Sequence, residues 1–202
     1  MEAFVMKKNI SAMTECAVLV ALAFVLSLIK IWQMPLGGAV TLGSMLPVCL
    51  ISVRRGVKYG VGAAFVYSVL QLAVGVIADG IFGWGLNAAM LAGCIFFDYI
   101  GAFTVLGLAG LFRTHGEGGI YAGIALACGL RFISHFISGY VIFENLGQFE
   151  LFGNIFEHSP VLYSAAYNGL FMLPELILTL AASAVLMRIP FVRTKIFAPL
   201  DK

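Results

Sequence analysis

The sequence predicts an all-α integral membrane protein of six transmembrane helices, with both termini cytoplasmic. Three observations carry that expectation. Of the 202 residues, 61% are hydrophobic and only 11% charged, against about 45–50% and roughly 25% in a soluble domain. The apolar residues gather into six runs, and ten of the twelve Lys and Arg residues fall on one side of them. Twelve basic and ten acidic side chains cannot clothe a water-facing surface of this size, and a net charge of +2 gives no affinity for polyanions. A soluble enzyme, a disordered chain and a nucleic-acid binder are thereby excluded.

The first run, Thr14–Ile31, follows Lys7 and Lys8. It reads as a span rather than a cleaved secretory leader, because its removal would leave five spans and break the charge rule. The second, Thr41–Val53, is short. The runs Lys58–Ala78, Asn87–Leu111, Ile120–Phe143 and Tyr163–Met187 have the roughly 20 residues that cross a hydrocarbon core of about 30 Å. They are apolar over far more than the ~10 alternating residues of a barrel strand. Arg54, Arg55 and Lys58 separate runs two and three, Arg113 separates four and five, and Arg188, Arg193, Lys195 and Lys202 follow the sixth. The alternate connections carry Asp79, Glu144, Glu150 and Glu157, so basic residues mark the cytoplasmic side and an even number of spans is required. Lys30 and Arg131 are the exceptions. Residues 1–202 form a single six-helix domain, with no internal repeat.

Cys16, Cys49, Cys94 and Cys128 are scattered singly and read as small buried apolar residues, with no disulfide frame or metal site. Glycine pairs such as Gly56/Gly60 and Gly119/Gly123 are expected to let helix backbones approach closely.

Charges inside the spans need a partner or a purpose, since each costs at least ~2.5–3.5 kcal/mol at mid-membrane. Asp98 lies midway along the fourth run, beside Tyr99; Arg131 and His135 share one face of the fifth, with Gly139 a turn further. Spans four and five run in opposite directions, so Asp98 and Arg131 belong at similar depth, as a buried salt bridge or as two walls of one pocket. Glu175 follows Pro174 in the sixth, where a kink gives it either a structural or a ligand-facing role. Glu15 reaches the interface and needs no functional account.

The outer connections add Trp32 beside a flexible Met34-Pro35-Leu36-Gly37-Gly38 turn, and a long acidic, aromatic segment from Glu144 to Leu162. An acid, aromatic rings and amide donors around one cavity suit a small organic cation with a flat ring. The chain has no GxxxxGK[ST] or HExxH, and Ser138-Gly139 lacks the setting of an intramembrane serine protease.

The pieces MPLGGAVTLGSMLP at 34–47, Arg54-Arg55-Gly56, DYIGAFTVLGLAGLF at 98–112, RFISHFISG at 131–139, YSAAYNG at 163–169 and LPE at 173–175 occur in this order along nearly the whole chain. In them the sequence resembles the thiamine-specific substrate-binding subunits (S components, ThiT type) of energy-coupling factor transporters. That resemblance implies six membrane helices and capture of thiamine outside a prokaryotic cell. It also implies delivery with a separate membrane coupling subunit and two ATPases, the binding subunit toppling in the bilayer. It implies no enzyme activity, no metal and no resident cofactor, thiamine being the transported ligand. The family's acidic ligand falls on Asp98 beside Tyr99, its basic position on Arg131, and its histidine on His135. Gly139, Phe143, Tyr163 and Asn168 take the remaining contacts, with Trp32 or Trp84, and Asn87, near the outer mouth. Ala17 and Ala21 fall on the family's AxxxA face for the coupling subunit. The alternatives are an S component for another vitamin or a pyrimidine precursor, and an intramembrane enzyme using His135 and Asp98 as acid and base.

Overall fold

A computed structural model of the chain describes residues 2–143, 150–151, 154–155 and 159–197. Seven helical segments dominate it: α1 (Glu2–Leu28), α2 (Met45–Arg55), α3 (Val57–Ile77), α4 (Ala88–Leu108), α5 (Gly116–Val141), α6 (Pro160–Met187) and the short α7 (Pro190–Phe197). Among the described residues, five stretches are long and apolar enough to cross a membrane, one on each of α1, α3, α4, α5 and α6. Helix α6 runs through Pro174 without interruption of its helical assignment.

The second apolar run departs from the expected span. The helix it forms, α2, has only 11 residues, a rise of about 16 Å that falls short of a ~30 Å core. Its apolar character has another cause: eight α2 residues, from Met45 to Val53, are buried against the other helices. The residues before it form a β-hairpin, with β1 (Lys30–Gln33) antiparallel to β2 (Ala39–Thr41). The first run therefore ends at Leu28 rather than Ile31. The Met34–Gly38 segment, expected as a flexible turn, is the ordered tip of this hairpin. Met34 N–H donates to the Gly38 carbonyl at 2.7 Å, and Leu36 takes a left-handed φ of 58°. Such backbone inside a membrane protein is tolerated where protein or a cavity surrounds it. A second ladder, β3 (Glu150–Leu151) with β4 (Asn154–Ile155), lies in the long connection before α6. Glu144 and Glu157 of that connection lie outside the described residues.

Helix α4 is irregular where it matters. After Ala88–Cys94 it widens into a π-helical turn at Ile95–Gly101, then tightens to a 3-10 turn at Val105–Leu108. Asp98 and Tyr99 both lie on the π turn.

The polar ends segregate. Glu15 of α1 pairs with both Arg54 and Arg55 of α2, and Arg54 donates to the Lys195 carbonyl of α7. Arg113 donates to the Ile196 carbonyl at 3.3 Å, and Arg193 stands 3.7 Å from Glu117. The basic residues that separate alternate runs thus gather at one end of the bundle. Lys30, an exception to that rule, is ion-paired to Asp79 at 2.8 Å beside the hairpin.

Small residues set the helix spacing, as the glycine pairs lead one to expect. A Cβ on Gly60 would lie 2.4 Å from Ser52 Cβ and 2.6 Å from the Gly107 carbonyl, and one on Gly123 only 2.0 Å from the Ala109 carbonyl. Neither backbone oxygen can move aside alone. Gly123→Ala should therefore lower the midpoint of thermal unfolding in detergent, since overpacking costs about 1–3 kcal/mol. Gly129→Ala, on the same helix with nothing within 4 Å of the added methyl, should leave the midpoint unchanged or raise it. Equal losses from the two substitutions would refute the close-packing account.

Candidate functional site

A cavity opens between the hairpin, α3, α4, α5 and α6. About 110 Å³ inside it is open to the centre of a water molecule, several times the roughly 10–15 Å³ that one water needs. Trp84, Asp98, Tyr99, Arg131, His135, Gly139, Phe143, Tyr163 and Asn168 all line it. Trp32 does not: it stands on β1, exposed. Ala17 and Ala21 lie on the exposed face of α1, opposite the buried Ala12, Val20 and Ala23. Asn87 has a local task, capping α4 by accepting from the Met90 N–H at 3.0 Å.

The deep wall is built by helical spacing. Arg131, His135, Ser138 and Gly139 recur at intervals of three and four, so α5 turns one face to the cavity. Asp98 and Arg131 are not in direct contact, contrary to a simple salt bridge; the His135 ring stands between them. Arg131 Nε donates to His135 Nε2 at 3.3 Å, and His135 Nδ1 is 2.9 Å from Asp98 Oδ1. Arginine can only donate, so Nε2 must accept and the imidazole proton sits on Nδ1, facing the carboxylate. Ser138 Oγ donates to the other oxygen, Asp98 Oδ2. The result is a directed chain from guanidinium to carboxylate. Arg131 also lies over the Phe103 ring, 4.2 Å from its centroid, a favourable placing for a partly desolvated cation. Its Nη1 is buried without a hydrogen-bond partner among the described residues.

Gly139 permits the next contact. A Cβ there would fall 2.3 Å from Ser164 Oγ, so only glycine lets α6 come this close. Ser164 Oγ donates to the Phe136 carbonyl at 2.8 Å, and Asn168 Nδ2 donates to the carbonyls of His135 (3.2 Å) and Ser164 (2.9 Å). Asn168 is thereby locked to the helix that carries His135.

Aromatic rings form the remaining walls. Tyr163 stacks on Tyr167 at 5.8 Å and 29°, Tyr167 meets Phe171 edge-on at 6.0 Å, and Trp84 tilts against Phe143 at 6.3 Å. The hairpin tip closes the outer side through Leu36, Gly37, Gly38 and Ala39. Tyr167 Oη holds that tip by donating to the Pro35 carbonyl and accepting from Gly38 N–H at 3.3 Å. At the rim, Asp79 Oδ1 binds Lys30 and accepts from Gln33 Nε2 at 3.3 Å, while Trp84 Nε1 donates to the Asp79 carbonyl at 3.0 Å.

Sequence reasoning did not reach Tyr167, Phe171 or the Lys30–Asp79 pair as cavity residues, nor Ser138 as a partner of Asp98. The signals were present: Ser138 is three residues beyond His135 and Tyr167 four beyond Tyr163, each on the same helix face.

A bundle of apolar helices enclosing a polar-floored, aromatic-walled cavity defines a membrane protein that holds a small ligand among its helices. Residues 13–195 match the model of the thiamine transporter protein family (Thia_YuaJ), and the chain belongs to that family. It is 30% identical over 186 residues to the thiamine transporter ThiT of Bacillus subtilis (strain 168), covering 85% of this chain and 87% of that protein. A solved structure of ThiT from Listeria monocytogenes shares the fold, with a TM-score of 0.69 at 20% identity, over 92% of this chain and 98% of that one. The chain is accordingly a transport component and not an enzyme.

Trp84 lines the cavity and Trp32 does not. Trp84→Phe should abolish most of the change in tryptophan fluorescence on titration with thiamine, whereas Trp32→Phe should retain it. The reverse pattern would move the ligand out of this cavity.

Proposed function

We propose that the chain is the high-affinity thiamine-binding subunit, an S component of ThiT type, of an energy-coupling factor importer in a prokaryotic plasma membrane. Asp98 carries this reading. It is a carboxylate at the wall of an aromatic cavity, bonded to a neutral histidine and a serine but, among the described residues, to no cationic side chain. An intramembrane charge left in that state calls for a cation from outside the chain. The thiazolium of thiamine supplies one that cannot lose its charge by deprotonation. Arg131 and His135 orient the carboxylate, and Tyr99, Tyr163 and Asn168 satisfy the aminopyrimidine. Phe143 and Trp84 offer ring faces to a flat cation. Gly139 leaves room beside them.

The hairpin and α2 together make the sixth crossing. Thr41 and Ser44 already lie at the cavity, so the 11-residue α2 has only the inner part of the bilayer left to cover before Arg54 and Arg55. Both termini are then cytoplasmic, with the basic cluster inside and the cavity opening outward. The chain has no P-loop, and a membrane coupling subunit with two ATPases provides the energy. Ala17 and Ala21 are the docking positions: exposed small side chains that allow close helix contact.

Purified protein titrated with thiamine, riboflavin and hydroxymethylpyrimidine should bind thiamine far more tightly than the other two. Asp98→Asn should weaken thiamine binding by about 100-fold or more, the scale of stranding one member of a buried charge pair, without loss of expression. Unchanged affinity in that variant would sink the site. Ala17→Trp should leave thiamine binding intact and abolish uptake by cells that express the whole importer; normal uptake would remove α1 from the docking surface.

A further inference from the structure

Glu175 does not line the cavity, and its side chain is 1% exposed. An ionisable group so deep in a membrane protein is costly, and an apolar residue of similar size would pack there without that cost. What Glu175 holds is specific. Its Oε1 accepts from both the backbone N–H and the hydroxyl of Thr41, the hydroxyl at 2.6 Å. Thr41 Oγ1 also lies 2.8 Å from Ser44 Oγ. A hydroxyl has one hydrogen, so Thr41 gives it to the carboxylate and accepts from Ser44.

Thr41 is the root of the hairpin whose tip roofs the cavity. It pairs across the ladder with Lys30, whose ammonium binds Asp79. A continuous line of contacts thus runs from α6 through Thr41 and Lys30 to the far rim. In a ladder of so few residues, a slip of one position turns every side chain to the opposite face. The contacts at the tip are neutral ones to Tyr167. The root is held by a single buried oxygen, Glu175 Oε1, that takes two bonds from Thr41 at once.

We propose that Glu175 is a positioning residue for ligand retention. Through Thr41 it pins the root and register of the hairpin, so that the tip seats over the bound ligand. It acts on the ligand's residence time and does not touch the ligand. This inference rests on the thiamine-binding reading above and adds to it a residue outside the cavity.

The test compares wild type, Thr41→Val and Glu175→Gln. Thr41→Val removes the hydroxyl donor and keeps the backbone one. Stopped-flow fluorescence follows thiamine association and release, and amide hydrogen exchange follows residues 30–41. Each variant should release thiamine about tenfold faster, the scale of one hydrogen bond, with association unchanged within about twofold. Exchange across 30–41 should quicken, while that in α3 and α5 stays as in wild type. Unchanged release together with a lowered unfolding midpoint would overturn the proposal, leaving Glu175 a packing residue. So would exchange that rises uniformly through the molecule. If Glu175→Gln does not fold, Thr41→Val decides alone. The exchange measurement on ligand-free protein needs no thiamine, so a failure of the thiamine reading leaves this inference still decidable.

Discussion

The structure depends on burying the carboxyl group of Asp98 inside a membrane protein without a direct ion pair to Arg131. A direct Arg131–Asp98 pair would have met the cost of burial and left nothing for a ligand. Inserting His135 between them changes the outcome. The imidazole, its tautomer set by the arginine, delivers a hydrogen bond to Asp98 rather than a full opposing charge. Ser138 adds a second donor. Two hydrogen bonds from neutral donors orient the carboxyl group and ease its burial. Arg131 in turn is steadied by the face of Phe103, so the whole relay is supported by the apolar core.

Such a relay works only if its helices are held to within fractions of an ångström, and the glycines do this. Gly139 brings α6 against α5 so that Asn168 can bond the His135 carbonyl. Gly75 leaves space that Tyr99 Oη fills, where an added Cβ would lie 2.2 Å from it. The π turn at Ile95–Gly101 is part of the same fit. Bonding i to i+5 instead of i+4 rotates Asp98 and Tyr99 relative to the regular helix before them, and such turns recur at functional sites. Backbone irregularity and close packing are therefore one device: each places a polar group that a regular helix would aim elsewhere.

The scarcity of charge made Asp98, Arg131 and His135 legible, since polar groups stand out against apolar spans. Helix periodicity then put Arg131, His135 and Gly139 on one face. The short second run was legible as apolar but not as a core helix, because hydropathy cannot tell burial in protein from burial in lipid. Nor did it register the hairpin: Lys30–Gln33 and Ala39–Thr41 alternate too briefly to declare strands. The missing direct ion pair had no signature at all. Whether a histidine four residues away caps an arginine or stands between it and an acid depends on side-chain direction, which spacing alone does not fix. Trp32 and Trp84 show the same limit. Both lie in outer connections, and only the fold decides that one borders the cavity and the other does not.

The two ends of the cavity differ in what must break to open them. Toward the basic cluster, α2 is wedged among its neighbours through eight buried residues. Ser52 Oγ donates to the Gly107 carbonyl and accepts from Gly110 N–H at 2.9 Å, stitching α2 to the end of α4 and the residues that follow. Gly60 and Gly107 meet backbone to backbone beside it. Parting these elements would expose close-packed main chain to hydrocarbon, where every unpaired group is expensive. Toward the other end stands a two-stranded hairpin, its root held by Glu175 and the Lys30–Asp79 pair and its tip by one tyrosine hydroxyl, with Leu36 in a left-handed conformation that costs about 1–3 kcal/mol. A small ligand therefore passes the hairpin more cheaply than it passes α2.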